Sequence, residues 1–215
     1  MAFPENATIE FDSGSLFRVG SIPRPNSEHG EGSVKRYHFV QRKGMTAVIP
    51  VTSDGDVLTI WNNRPHYGKK LGFPGGNIDG TFDEPEEPIE SGLRELVEEI
   101  GYNGDAQGFL FPELSTTIHY PQYLIVARNV IKFCEPHGSD AAQIEIAPTP
   151  AADLVSGLAD GGFRTPFPYL ELAITRAVQK FDVPTVTDWL VTGDNNIALL
   201  EAFGPNLLPL QHQGE

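Results

Sequence analysis

Residues 75–102, GGNIDGTFDEPEEPIESGLRELVEEIGY, decide how the rest of the chain is read. Pro88 suits a first helical turn, and Gly101 suits the position just past a helix end. Between them Ile89, Leu93, Leu96, Val97 and Ile100 recur at the spacing of one helical face, which predicts a helix of about three to four turns. Glu95, Glu98 and Glu99 fall together on the opposite side. Three carboxylates at i, i+3 and i+4 repel one another, and a solvated helix gains nothing from grouping them. A hard divalent cation would remove the conflict, because Mg²⁺ takes oxygen ligands and is held by carboxylates and substrate phosphates. An arbitrary acidic run is more often a solvated face.

Arg94 stands four residues after Glu90 and four before Glu98, placed to pin carboxylates by ion pairing; an ordinary surface pair fits the same spacing. Gly92 in mid-helix costs about 1 kcal/mol relative to Ala. Close backbone approach to the preceding loop would explain it.

Gly80, Glu86 five residues on, Arg94-Glu95-Leu96 after seven more, Glu98-Glu99, Gly101 and Tyr102 together resemble the signature box of the Nudix hydrolases. At background usage, its seven identity-specific positions would coincide by chance at roughly one in a billion per start site. The resemblance implies an α/β fold, the Nudix α/β/α sandwich with a mixed central β-sheet flanked by the box helix and C-terminal helices. It also implies Mg²⁺-dependent (or Mn²⁺-dependent) hydrolysis of a nucleoside diphosphate linked to another group. Glu95 and Glu99 would then be metal ligands, Glu98 ligand or base, Arg94 the residue that orients the carboxylates, and Glu86 a support of the site. A backbone carbonyl of the Gly75-Gly76 turn would be a further ligand. One departure concerns this pair, which precedes Gly80 by several residues where the family has it nearer the helix. A short insertion within residues 81–85 accounts for the longer loop.

Upstream, Asn62-Asn63-Arg64-Pro65 leading to Phe73-Pro74-Gly75-Gly76 is similar to the segment before the box in ADP-ribose and ADP-sugar pyrophosphatases. On that comparison Arg64 contacts substrate phosphate; a surface Arg at a strand end is the equal alternative. Downstream, many Nudix hydrolases carry a further acid in a loop after the box. Here residues 135–145 are read as an irregular acidic loop with Asp140 and Glu145 as candidates and Glu135 third, unless Gln143 takes the place and the loop supplies no base. A solvated loop carboxylate is the alternative for each.

With 215 residues, 40% of them hydrophobic and thirteen Phe, the chain can bury one substantial core. The expected organisation is an extension at 1–36, a Nudix domain at 37–182 and a tail at 183–215. The single Cys134 rules out an intramolecular disulfide and fits a reducing compartment. Together with an N-terminus lacking a basic start and an apolar run, it leads to the expectation of a cytoplasmic protein. A net charge of −14 and a pI near 4.7 disfavour binding to nucleic acid or an anionic membrane. Nine of the fifteen Lys and Arg lie in the first seventy residues, before the acidic box, compatible with a phosphate-facing surface or with scattered solubilising charges.

Along the chain, a strand or hairpin is expected over 9–19 and a loop over 23–33. In the ADP-ribose pyrophosphatase branch such an extension often assists dimerisation, so a homodimer is one expectation. Residues 45–51 and 57–61 read as two antiparallel strands joined by the Asp54-Gly55 turn. Residues 108–113, 115–119, 122–127 and 130–134 read as further strands, with Arg128-Asn129 separating the last two. Thr149 is read as cap, and Pro150 as first turn, of a helix to Ala159 ended by Gly161-Gly162. Residues 169–181 form a second amphipathic helix on the sheet. Beyond 182, Trp189 and Leu199-Leu200 are anchors before a tail bearing Pro and Gln.

There is no Walker-type phosphate loop, no zinc-spaced Cys or His pair and no GxSxG elbow. The six His, His119 among them, read as core or surface residues. The substrate indicated by the resemblance is ADP-ribose or an ADP-sugar. The alternatives are a triphosphate or dinucleoside polyphosphate, or a Nudix domain that senses nucleotides without turnover.

Overall fold

The computed structural model describes residues 6–14, 16–23, 36–64, 68–111, 117–139, 141–163, 165, 168–194, 197–203 and 208–210. The strands are β1 (Thr8–Asp12), β2 (Phe17–Pro23), β3 (Arg36–Arg42), β4 (Met45–Pro50), β5 (Asp56–Arg64), β6 (Gly68–Gly72), β7 (Tyr102–Phe111), β8 (Ile118–His119), β9 (Gln122–Lys132), β10 (Ile144–Pro150) and β11 (Leu208–Pro209). The helices are α1 (Pro88–Ile100), α2 (Ala151–Asp160), α3 (Pro168–Lys180), α4 (Val183–Thr192) and α5 (Ile197–Phe203).

At the centre stands a mixed sheet in the order β11-β7-β9-β4, in which β4 runs parallel to β9 and the other pairs are antiparallel. Both of its faces are covered, so β9 reads as an unbroken buried run, Leu124-Ile125-Val126-Ala127. Alternation along that run sorts the core. Leu124 and Val126 join Ala47, Ile49 and Val57 against residues of α2 to α5, whereas Ile125 and Ala127 join Val48, Leu58 and Ile60 against Leu96 and Ile100 of α1. The result is the expected α/β/α sandwich. β10, β5 and β6 form a second sheet, and β1, β2, β3 and β8 a third.

The N-terminal hairpin forms as the sequence implies, with β1 antiparallel to β2. Its turn is tied by Ser13, whose Oγ accepts the N–H groups of Leu16 and Phe17. The expected loop over 23–33 lies outside the described residues.

Several local expectations are corrected by pairing that only the tertiary structure decides. The turn at 52–56 forms, with Gly55 in the left-handed region and Thr52 N–H donating to the Asp56 carbonyl. Only Val51 and Val57 pair across it, however, because β4 then joins β9 and β5 joins β6 and β10. β7 begins at Tyr102 rather than at 108. β9 continues through Arg128-Asn129, with Asn129 at φ 51° in a bulge that sets two β9 residues, Asn129 and Val130, against the single Gly104 of β7. Residues 144–150, read in part as loop and in part as helix start, are the strand β10. Thr149 therefore caps nothing: its hydroxyl meets that of Thr59, and α2 begins at Ala151. α3 packs on α2, α4 and α5 and also reaches the central sheet, where Tyr169 lies against Phe111 of β7.

The segment after 182 is ordered into α4 and α5. Asp182 caps α4 by accepting the Thr185 N–H, Pro184 lies in its first turn and Gly193 ends it. Trp189 and Leu199 are buried, as their reading as anchors requires.

Candidate active site

α1 has the bounds its sequence predicts. Pro88 fills the first turn, and Gly101, at φ 76°, turns its N–H back onto the carbonyls of Leu96 and Val97. Gly92 is explained differently from the expectation. A Cβ there would come within 2.6 Å of Ile125 Cγ1, so the close neighbour is a β9 side chain and not the preceding loop. This near contact sets α1 tight against the central sheet and fixes the depth of its acids.

The segment before the helix runs along the free edge of β4. Thr46 N–H donates to the Gly76 carbonyl, Val48 N–H to the Pro74 carbonyl and Ile78 N–H to the Gly44 carbonyl. Glycine is required at two places on this path. At Gly75, φ is 152° and a Cβ would stand 2.2 Å from the Thr46 carbonyl oxygen; at Gly76 a Cβ would stand 2.4 Å from Glu95 Oε1. The close passage brings the Gly75 N–H to Glu99 Oε2 at 2.9 Å. Glu99 is only 6% exposed, a carboxylate taken from water and met by a backbone donor.

Arg94 ties the acids together. Its Nη1 donates to Glu95 Oε1 at 3.0 Å and Glu98 Oε2 at 3.1 Å, and its Nε and Nη2 reach Glu86 at 3.1 Å each. Asp79 approaches the same guanidinium at 3.5 Å. The partner on the N-terminal side is thus Glu86, eight residues back in the loop, and no Glu90–Arg94 ion pair occurs among the described residues. The Glu86 hydrogen bond is the largest influence raising the Arg94 pKa, so the guanidinium stays charged. Burial pushes Glu86 up, but its bonds from Arg94 and the Asp79 N–H hold it below the usual carboxylate range. Glu95 is the contrary case: burial raises it, and Arg94 offsets this only in part.

Glu95, Glu98 and Glu99, with Gly75 and Gly76, line a cavity of about 550 Å³. The same lining includes Arg42, Lys70, Asn62, Asn77 and Tyr120, together with Met45, Ile60 and Phe73. The cavity thus gathers acidic, basic and apolar side chains on the scale of a small-ligand site. In the sequence Arg42 and Lys70 stand only as general positive charge, and nothing singles out Tyr120. No local motif marks them, since strands β3 and β6 meet here only through the fold.

Other sequence candidates fall elsewhere. Glu86 lines a second cavity, of about 320 Å³, behind the loop, and reaches the first one only through Arg94. Arg64 ends β5, its backbone paired with Gly68, and its side chain is outside the described residues. Glu145 is not in a loop: it sits exposed on β10, bonded to Lys69 at 2.6 Å, away from the cavity lining. Glu135 is exposed and 3.5 Å from Lys132, and Gln143 lies in an exposed 3₁₀ turn. Asp140 is outside the described residues. The loop does reach the site, because His137 and Gly138 donate their N–H groups to the Glu98 carbonyl and Ser139 lines the cavity.

As placed, no three Asp, Glu, His or Cys side chains among the described residues converge to hold a metal ion. The chemistry of these acids nonetheless suits a hard cation: the donors are carboxylate oxygens, and the half-buried Glu95 carboxyl is pushed up by that burial.

No family model matches the chain, and no curated protein does. Among solved structures the chain is similar to a crystal structure of an ADP compounds hydrolase, with a TM-score of 0.51 over 71% of this chain and 81% of that one. At 20% identity the likeness is one of fold. It agrees with the layered architecture described above. Among the described residues no helix is long and apolar enough to cross a membrane.

Proposed function

We propose that this chain is a Nudix-type pyrophosphohydrolase acting on a nucleoside diphosphate linked to a second group, with ADP-ribose or an ADP-sugar as substrate and AMP and a sugar phosphate as products. The observation that carries the reading is that one cavity is lined by Glu95, Glu98 and Glu99 and also by Arg42 and Lys70. A pyrophosphate is anionic, and a protein of net charge −14 binds one only where cations are gathered locally. Arg42 and Lys70 supply part of this charge. The fold shared with an ADP compounds hydrolase supports the substrate class.

Glu95, Glu99 and Glu98, with the Gly75 carbonyl, would hold Mg²⁺ (or Mn²⁺), Glu95 or Glu98 turning from Arg94 to do so. Such an ion, when bound, withdraws charge from phosphate oxygens and acidifies attacking water. Arg94 holds Glu95 and Glu98 in place, since both share the same fixed guanidinium fork. Glu98, the most exposed of the three acids, is placed to accept the proton of the attacking water. Arg42 and Lys70 orient the diphosphate, and Tyr120 offers a flat surface to the remainder of the substrate.

The test is release of AMP or phosphate by the purified protein with Mg²⁺ across ADP-ribose, ADP-glucose, NADH, diadenosine polyphosphates and nucleoside triphosphates. Preference for ADP-ribose or ADP-glucose with AMP as product is the expected result. Turnover of triphosphates or polyphosphates alone would overturn the substrate, and binding without turnover would overturn the enzyme.

A further inference from the structure

The loop that carries Glu86 is held from outside by the N-terminal hairpin. Residues 79–87 form a small closed turn: Gly80 bridges Pro85, Thr81 N–H donates to the Glu84 carbonyl and Glu86 N–H to the Asp79 carbonyl. Nothing in the turn is buried apolar surface, so its own bonds are open to water. Two cations from the N-terminal part of the chain close over it. Arg18 of β2 places its guanidinium 4.2 Å from the centre of the Phe82 ring and 3.9 Å from Asp83, while Lys43 donates to the Gly80 carbonyl at 2.5 Å. Arg18 is itself oriented by Asp12 at 3.0 Å, across the hairpin, and its side chain is only 16% exposed.

We propose that Arg18 is a positioning residue of the active site: stacked on Phe82, it fixes the 79–87 loop so that Glu86 stays on Arg94 and Arg94 stays on Glu95 and Glu98. The role rests on the proposed hydrolysis only for its effect on rate. The chain of contacts is continuous, from Arg18 to Phe82, through the closed turn to Glu86, and then to the guanidinium that ties the acids. A loop lengthened by residues 81–85 has more freedom to lose, and a stacked cation restrains it without occupying the cavity. The hairpin therefore serves the chemistry although none of its residues lines the cavity of the acids.

The experiment compares Arg18→Ala, Phe82→Ala, the double variant, Arg18→Lys and Asp12→Asn, each checked for folding by circular dichroism. Two readouts are taken: steady-state hydrolysis of ADP-ribose with Mg²⁺, and amide and Arg Nε–H exchange by NMR at Thr81, Glu86 and Arg94. Loss of the stack should raise exchange at these three positions about two- to fivefold. It should lower kcat about tenfold with KM unchanged. The double variant should be no worse than the worse single one, Arg18→Lys should recover much of the loss, and Asp12→Asn should stay close to wild type. Unchanged exchange in Arg18→Ala overturns the clasp, and faster exchange with undiminished kcat overturns its role in positioning. If the wild-type protein turns over no nucleotide, the hydrolase reading falls and with it the rate effect. The exchange data then decide the clasp by themselves.

Discussion

Gly92 offers a sharp test of how α1 is seated. Replacing it with Ala in an exposed helix would stabilise the protein by about 1 kcal/mol, the usual difference in helix propensity. Here the added Cβ meets Ile125 Cγ1 at 2.6 Å and Ile125 Cβ at 3.2 Å, and Ile125 is fully buried in the central strand. Overpacking of this kind costs about 1–3 kcal/mol. Subtracting the propensity gain leaves Gly92→Ala less stable by up to about 2 kcal/mol, or about 4–8 °C in Tm for a chain of this size. Ile125→Ala alone should cost about 2–5 kcal/mol through the cavity it opens. In that background the clashing Cγ1 is absent and only the Cβ at 3.2 Å remains, so Gly92→Ala should cost less than in the wild type and gain at most about 1 kcal/mol. Urea unfolding followed by circular dichroism on the four proteins closes the cycle. Simple additivity, or a wild-type Gly92→Ala variant that gains stability, would refute the close seating of α1 on β9.

Glu99→Gln keeps the shape that accepts the Gly75 N–H, so the fold should survive while hydrolysis falls at least about a hundredfold; retention of most activity would remove Glu99 from the metal ligands. Chelation of divalent ions should abolish turnover, and Mg²⁺ should restore it in the same assay. Glu86→Gln is a pH test. The Glu86 carboxyl is held below its usual range, so its contribution to stability is full at neutral pH and is lost as pH falls through that depressed value. The stability gap between wild type and Glu86→Gln, measured by urea unfolding, should therefore be present at neutral pH and close in acid; a gap that widens in acid would contradict the sign. Arg128, 8% exposed, donates to the Trp189 and Leu190 carbonyls near the end of α4. Arg128→Met should cost about 2–3 kcal/mol in thermal or urea unfolding, and a neutral result would mean that water replaces these bonds.

What could be read from the sequence was what depends on near neighbours. The limits of α1 follow from Pro88, Gly101 and one apolar face, all within a single stretch, and the structure places them there. The signals for α4 were equally local, with Asp182 as cap, Pro184 in the first turn and Gly193 at the end, but they stood among tail-like residues and were not used. Strand partners were a different matter. The turn at Gly55 is a local fact, whereas the departure of β4 to β9 and of β5 to β10 depends on segments more than seventy residues away. The same is true of β9. Arg128-Asn129 looks like a break until the pairing with β7, which takes up Asn129 in a bulge of β9, is known.

For the site, the division falls between the acids and everything that faces them. Glu95, Glu98 and Glu99 share a helix, so their spacing alone groups them, and their mutual repulsion raises the question of what relieves it. The structure supplies two answers: the Arg94 fork between Glu95 and Glu98, and a Gly75 N–H for the buried Glu99. Neither is complete for Glu95, whose carboxyl burial still pushes upward. That carboxyl lines the same cavity as Arg42 and Lys70, residues that no spacing rule joins to the box. A hard cation bound there, as proposed, would share the charge that Arg94 offsets only in part, and the two basic side chains would do the same for a diphosphate.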